Sequence, residues 1–271
     1  MRRDGCMMNI DATLEQCNLL HKKDTLLKIA ASSIGITKEK AGEVDIQIGS
    51  SKFGGMPDLP TNLSFPKYEN GYLSFLAQIN LSEAISYDKE NLLPETGILY
   101  FFYDIIEQPW GMDKEDKESF QVYYFDGELG ELSRTPYPET SEDYFPLPTY
   151  KITFTDIVTY PEELNGLDLT EDELDNYFEF RESRQPRHYM FGEPFNIQND
   201  VFEEIIYYEN EAEVDEKIKI RSRELVLLFQ MDSDDDLNLM WGDSGIIYFC
   251  IDRGDLDTKA FSNTKFTLQC Y

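Results

Sequence analysis

A chain of 271 residues is long enough to bury roughly three-quarters of its unfolded surface, so its core needs neither disulfide nor metal to persist. With 53 Asp and Glu against 24 Lys and Arg, the formal net charge is −29. Such a surface repels phosphate backbones and anionic lipid, which disfavours non-specific nucleic-acid and membrane binding; it either favours a basic partner (a cationic protein, a polyamine or metal ions) or serves only to keep the protein soluble. No run approaches the ~20 apolar residues of a membrane span, and a cytoplasmic protein is expected.

Residues 10–31 read as helix, because Ile10, Leu14, Cys17 and Leu20 recur at helical steps and Asp24 or Thr25 can start a second run around Leu26 and Leu27. Val44, Ile46 and Ile48 then alternate with period two, the pattern of a half-buried strand. The glycines and prolines of Lys52-Phe-Gly-Gly-Met-Pro-Asp-Leu-Pro60 forbid regular structure, and the glycine pair suits a bend at positive φ. Strands are predicted at 73–80, 97–104, 121–126 and 151–158, with the third ending in the turn dipeptide Asp126-Gly127. Residues 162–184 read as an acidic exposed helix packed by one stripe through Leu164, Leu167, Leu174, Phe178 and Phe180.

An internal echo runs through the chain. Phe75-Leu-Ala-Gln78-Ile-Asn80 followed by Gly97-Ile-Leu-Tyr-Phe-Phe-Tyr-Asp104 returns as Leu227-Leu-Phe-Gln230-Met-Asp232 followed by Gly245-Ile-Ile-Tyr-Phe-Cys-Ile-Asp252. Phe53-Gly54 is echoed by Phe191-Gly192, each with a proline close behind. The expected fold class is α+β: an internal duplication of mainly antiparallel β units with a helical N-terminal segment and a pseudo-twofold body. The expected division is a helical segment at 1–43, a first repeat at 44–160 and a second at 161–271. The second repeat is expected to lack a counterpart of the 121–126 strand.

Several motifs in fixed order resemble the YwqG-like family of bacterial proteins. They are Ser51-Lys-Phe-Gly-Gly-Met-Pro-Asp-Leu-Pro60, Phe75-Leu-Ala-Gln-Ile-Asn80, His188-Tyr-Met-Phe-Gly-Glu-Pro194, Gln230-Met-Asp-Ser-Asp-Asp-Asp236, Met240-Trp-Gly-Asp-Ser-Gly245 and Gln269-Cys-Tyr271. The resemblance implies a cytosolic, duplicated, mixed α/β protein with no activity to carry over. The family's occurrence in bacterial loci beside polymorphic toxins and their immunity proteins implies a binding role.

Candidate chemistry is sparse. The cysteines Cys6, Cys17, Cys250 and Cys270 form no C-x-x-C, so neither a zinc site nor a disulfide framework is indicated. Of the two histidines, His188 is the only general-base candidate, and no Gly-x-Ser-x-Gly elbow accompanies it. Phe53-Gly-Gly-Met-Pro57 lacks the Lys-Ser/Thr ending of a P-loop. Asp232, Asp234, Asp236 and Asp243 fall at positions 1, 3, 5 and 12 of an EF-hand count. Leu237 stands where the turn needs glycine and the flanks read as strands, so a solvated loop with at most weak Ca²⁺ or Mg²⁺ affinity is expected, and no other cofactor.

Gln78 and Gln230 are polar residues in apolar strands and must find partners. They either bond the Gly-Pro loop of their own half or line a pocket. Trp110 and Trp241 each sit beside a glycine as exposed aromatic contacts or as lids on the cores, and Trp241, next to the Asp run, is the expected surface anchor. The expected function is that of a non-catalytic acidic protein that binds a basic partner in the manner of an immunity protein. The alternative is a small-ligand or divalent-metal module with Gln78, Gln230 and Trp241 at a cleft between the repeats.

Overall fold

The structure, a computed structural model, describes residues 10–69, 71–138, 146–164, 167–184, 187–209 and 215–271. Helices and a mostly antiparallel, nearly closed ten-stranded sheet share the fold. The sheet strands are β1 (Ala31–Lys40), β2 (Lys52–Phe53), β3 (Ser74–Asn80), β4 (Ile98–Tyr103), β5 (Phe120–Phe125), β6 (Tyr150–Thr159), β7 (His188–Met190), β8 (Leu225–Asp232), β9 (Ile246–Asp252) and β10 (Lys265–Gln269). The helices are α1 (Ile10–Gln16), α2 (Lys23–Ile29), α3 (Leu81–Ala84), α4 (Glu171–Ser183), α5 (Val201–Glu209), α6 (Asp215–Ser222) and α7 (Arg253–Asp257). The strand order across the sheet is β10-β9-β8-β7-β1-β6-β2-β3-β4-β5.

The central pair, β1 and β6, runs antiparallel from Ala31 opposite Thr159 to Lys40 opposite Tyr150. Near its middle the hydroxyls of Thr37 and Thr153 hydrogen bond at 2.8 Å. One wing hangs from β6 through β2 and the other from β1 through β7. The two outer strands approach each other, since Phe120 of β5 stacks on Phe266 of β10 with ring centroids 5.1 Å apart.

Alternation decides what lies inside. Leu99, Phe101 and Tyr103 of β4 and Ile247, Phe249 and Ile251 of β9 point into one shared core, where Phe101 meets Phe229 at 4.9 Å and Phe249 at 5.1 Å. The other faces are covered too, which is why these strands read as unbroken apolar runs. Tyr100 and Phe102 lie under Leu59, Phe65 and Leu132, while Tyr248 and Cys250 lie under Val201, Ile205 and Ile206 of α5. A smaller cluster joins Leu14 of α1, Cys17 and Leu26 of α2 to Tyr177 and Phe180 of α4.

Four expectations are corrected. The helix over 10–31 breaks at Asn18, which has φ +54°, and gives way at Ala31 to the central strand β1, so the segment before residue 43 is not wholly helical. Residues 44–48 form no strand: Glu43–Asp45 is a 3₁₀ turn, Val44 is 94 % exposed, and the carbonyls of Glu43 and Ile46 accept from Arg134. The acidic helix begins at Glu171 rather than 162 and leaves Leu174 and Phe178 exposed. A further strand follows β9 where none was expected, and Lys265–Gln269 pairs with β9 as Phe120–Phe125 pairs with β4.

Since both wings fill one core, Phe229→Ala is expected to cost about 3–5 kcal/mol. Urea denaturation followed by near- and far-ultraviolet circular dichroism should show one coincident transition at a lower midpoint. Separate transitions for the two signals would mean that the wings melt apart.

Candidate functional site

Each predicted glutamine is fully buried on the outer face of its wing, opposite a tyrosine of the next strand. Gln78 Oε1 accepts from Asp58 N–H at 2.8 Å, and its Nε2 donates to the Ser50 carbonyl and to Asp58 Oδ2, both at 2.8 Å. Gln230 Oε1 accepts from Phe195 N–H at 3.1 Å, while its Nε2 is buried with no hydrogen-bond partner. Tyr100 and Tyr248 donate to the carbonyls of Asp58 and Phe195 at 2.6 Å. The glutamines therefore hold the loops of their own halves. Those loops turn on left-handed residues: Gly54 and Gly55 at φ +60° and +66°, and Phe191 and Gly192 at +61° and +73°. Phe191 N–H donates to the Leu227 carbonyl as Gly54 N–H donates to that of Leu76, one place off the echo read from the sequence.

Around Gln78 lies a buried charge network that no motif announced. Lys52 is fully buried, with Nζ donating to the Met56 carbonyl and to Glu43 at 3.3 Å. Arg134 reaches Asp58 through Nε at 2.9 Å and Glu43 at 3.1 Å. Burial lowers the Lys52 pKa against the opposing pull of Asp58 and Glu43. A depressed lysine is a common mark of amine catalysis. Here Nζ is saturated by its partners and closed to solvent, so the network braces the Gly54-Gly55 loop. A lysine and an aspartate six residues apart in a motif rich in glycine and proline were the available signal; the distant Arg134 left none.

A second cluster forms where β7 meets the loop after β8. His188 Nε2 and Asp234 Oδ2 are 2.9 Å apart, Lys38 Nζ lies 3.2 Å from Asp234 and 2.6 Å from Asp236, and Arg187 approaches Asp234 at 3.5 Å. Burial pushes the Asp234 carboxyl up, but the His188 hydrogen bond and the His188 and Lys38 charges outweigh it and hold the group at about 2. The histidine has an orienting carboxylate, as a general base would. Its Nδ1 is nevertheless buried without a hydrogen-bond partner, so no nucleophile engages it. Burial raises the thiols of Cys17 and Cys250, which makes them poor thiolates.

The metal candidates do not converge. Asp234 is buried among cations, Asp236 is bound by Lys38, Asp232 is buried in β8, and Asp243 is exposed. Among the described residues no three His, Cys, Asp or Glu side chains are grouped to hold a metal ion. Trp241, the expected surface anchor, is fully buried and packs edge-on to Tyr103 at 5.7 Å; the exposed tryptophan is Trp110. The cleft expected between the halves is filled by Phe53, Phe101, Phe229 and Phe249.

The family model described as Domain of unknown function (DUF1963) matches residues 51–270. No curated protein matches the chain. Among the described residues no helix is long and apolar enough to cross a membrane.

Two outcomes test the clusters. Because the folded pKa of Asp234 lies below its unfolded value, its stabilisation is fully present above pH ~4 and is lost as pH falls through about 2. Asp234→Asn should therefore cost roughly 2 kcal/mol at neutral pH, with the gap to the unsubstituted chain closing near pH 2. Guanidinium midpoints at each pH read this, and a gap constant with pH would exclude the charge as its origin. Gln78→Met should destabilise more than Gln230→Met, since it strands three partners rather than one; equal losses in the same assay would refute that.

Proposed function

We propose that this chain, which belongs to the DUF1963 family, is a non-catalytic interaction protein that holds a basic protein on an acidic surface. The distribution of charge carries this reading. Lys38, Lys52, Arg134, Arg181 and Lys265 are drawn into buried or half-buried ion pairs, none more than 17 % exposed. Helix α4 shows the consequence. Its Arg181 turns inward to the Tyr160 and Pro194 carbonyls, while Glu171, Asp172, Asp175, Glu179 and Glu182 face solvent. The inner cations are matched by carboxylates buried with them, Asp58 and Asp234 among them, while α4 presents its carboxylates outside.

Neutralisation of a basic partner, in the manner of an immunity protein, is the biological form of this reading. It fits a cytoplasmic member of the YwqG-like group that the motifs resemble, with divalent ions serving only as weak counter-ions. Nucleic acid and anionic membrane are disfavoured by the same field.

We also read the chain as an internal duplication about a pseudo-twofold axis. Support comes from the strand order, which is matched outward from β1 and β6, and from the register shifts at Phe75/Ala77 and Leu227/Phe229. The paired glutamine and tyrosine bonds to the two loops add to it.

A basic protein should copurify with the chain at low salt and be released at high salt. Stopped-flow measurement should show its association rate falling about tenfold or more between ~0.05 and ~0.5 M salt as screening shortens the field. A partner whose on-rate ignores salt overturns the reading.

A further inference from the structure

We propose that the surface around Trp110 is where the basic partner docks, inserting an apolar side chain that it carries among its lysines or arginines; this rests on the interaction reading above. Three stretches far apart in sequence meet at this place. Gln108 donates from Nε2 to the Met240 carbonyl and accepts through Oε1 from Gly242 N–H, both at 2.9 Å. Leu268 N–H donates to the Trp110 carbonyl at 3.1 Å, and Tyr271 N–H to the Asp243 carbonyl at 3.2 Å. These bonds gather Ile106, Trp110, Met240 and Tyr271, which are 56, 39, 47 and 65 % exposed.

Tryptophan, tyrosine and methionine are the residues enriched at the centres of protein interfaces, and grouped exposure of this kind marks contact sites. The backbone beneath is held in an unfavourable form. Gln108 and Ser244 adopt left-handed φ of +48° and +60° without being glycine. Such conformations persist where surrounding bonds over-determine them, and they concentrate at functional places.

The rim selects the occupant. Glu107, Asp113, Asp235 and Asp243 are exposed on the segments that carry the patch. A second copy of the chain would bring its own −29 against them, so like charge disfavours self-association and opposite charge favours a cationic segment. The apolar centre then supplies residence and the carboxylates supply attraction.

The two tryptophans make the test direct, because acrylamide reaches the exposed Trp110 and spares the buried Trp241. The probes are a lysine–leucine peptide patterned as an amphipathic helix and an oligolysine of equal charge. The peptide is expected to shield Trp110 from acrylamide and the oligolysine to leave it open. Trp110→Ala and Met240→Ser should each weaken the peptide about tenfold or more, chiefly through a faster off-rate. Glu107→Lys with Asp243→Lys should instead slow association and flatten its salt dependence. If Trp110→Ala lowers the melting temperature, Met240→Ser and the double charge reversal decide.

Unchanged affinity in those variants, equal shielding by oligolysine, or a dimer in sedimentation that shields Trp110 without any peptide overturns the docking site. Salt-dependent peptide binding that survives every variant would leave the interaction reading standing and move the site. Failure of both probes to bind at low salt removes the interaction reading itself.

Discussion

The ladder between β1 and β6 is the constraint on which the rest of this fold depends. Ten residues of each strand pair in unbroken register, and each strand also carries one wing of the sheet, β1 through β7 and β6 through β2. Because both wings curl from this seam, their inner faces meet and fill a common aromatic core. The seam also sets where polarity goes. Inside lie phenylalanines; outside each wing, a glutamine and a tyrosine pin a covering loop; at one end of β1, Lys38 reaches the loop after β8.

The long apolar strands were legible in the sequence because each is covered on both faces and so carries between its ends no polar side chain but the glutamine of β3 and β8 and the tyrosines of β4 and β9. The helical stripe at Leu14 and Cys17 was legible for a similar reason. The most important strand was not. Ala31-Ser-Ser-Ile-Gly-Ile-Thr follows helix without a proline or glycine break, and its Ser and Gly have little preference for strand. Pairing with β6 and β7 makes it a strand, and no local signal encodes that pairing. Val44-Asp-Ile-Gln-Ile48 misled for the opposite reason: it alternates, but Arg134, some ninety residues on, takes the carbonyls of Glu43 and Ile46. The site residues divide in the same way. That Gln78 and Gln230 need partners was readable, whereas the inward turn of Trp241 and the outward turn of Trp110 depend on which loop folds over which.

The two halves also differ in how completely their polar groups are served. The first loop carries Asp58, which accepts from Gln78, Arg134 and Gly49. The second has Phe195 at the corresponding place, and Gln230 is left with a buried amide nitrogen unpaired. An aromatic ring stacked under Arg181 replaces the carboxylate there, so cation–π contact does in one half what a salt bridge does in the other.

The interleaved strand order has a consequence for how the protein is made. β1 leaves the ribosome well over a hundred residues ahead of β6, its partner on one side, and further still ahead of β7 on the other. At ordinary rates of synthesis that is a wait on the order of ten seconds with both edges of the strand unsatisfied. The serines, glycine and lysines that hid this segment from sequence reading make it a poor template for stray strands during the interval. A strand made early is thus paired late, and its weak intrinsic preference protects the nascent chain.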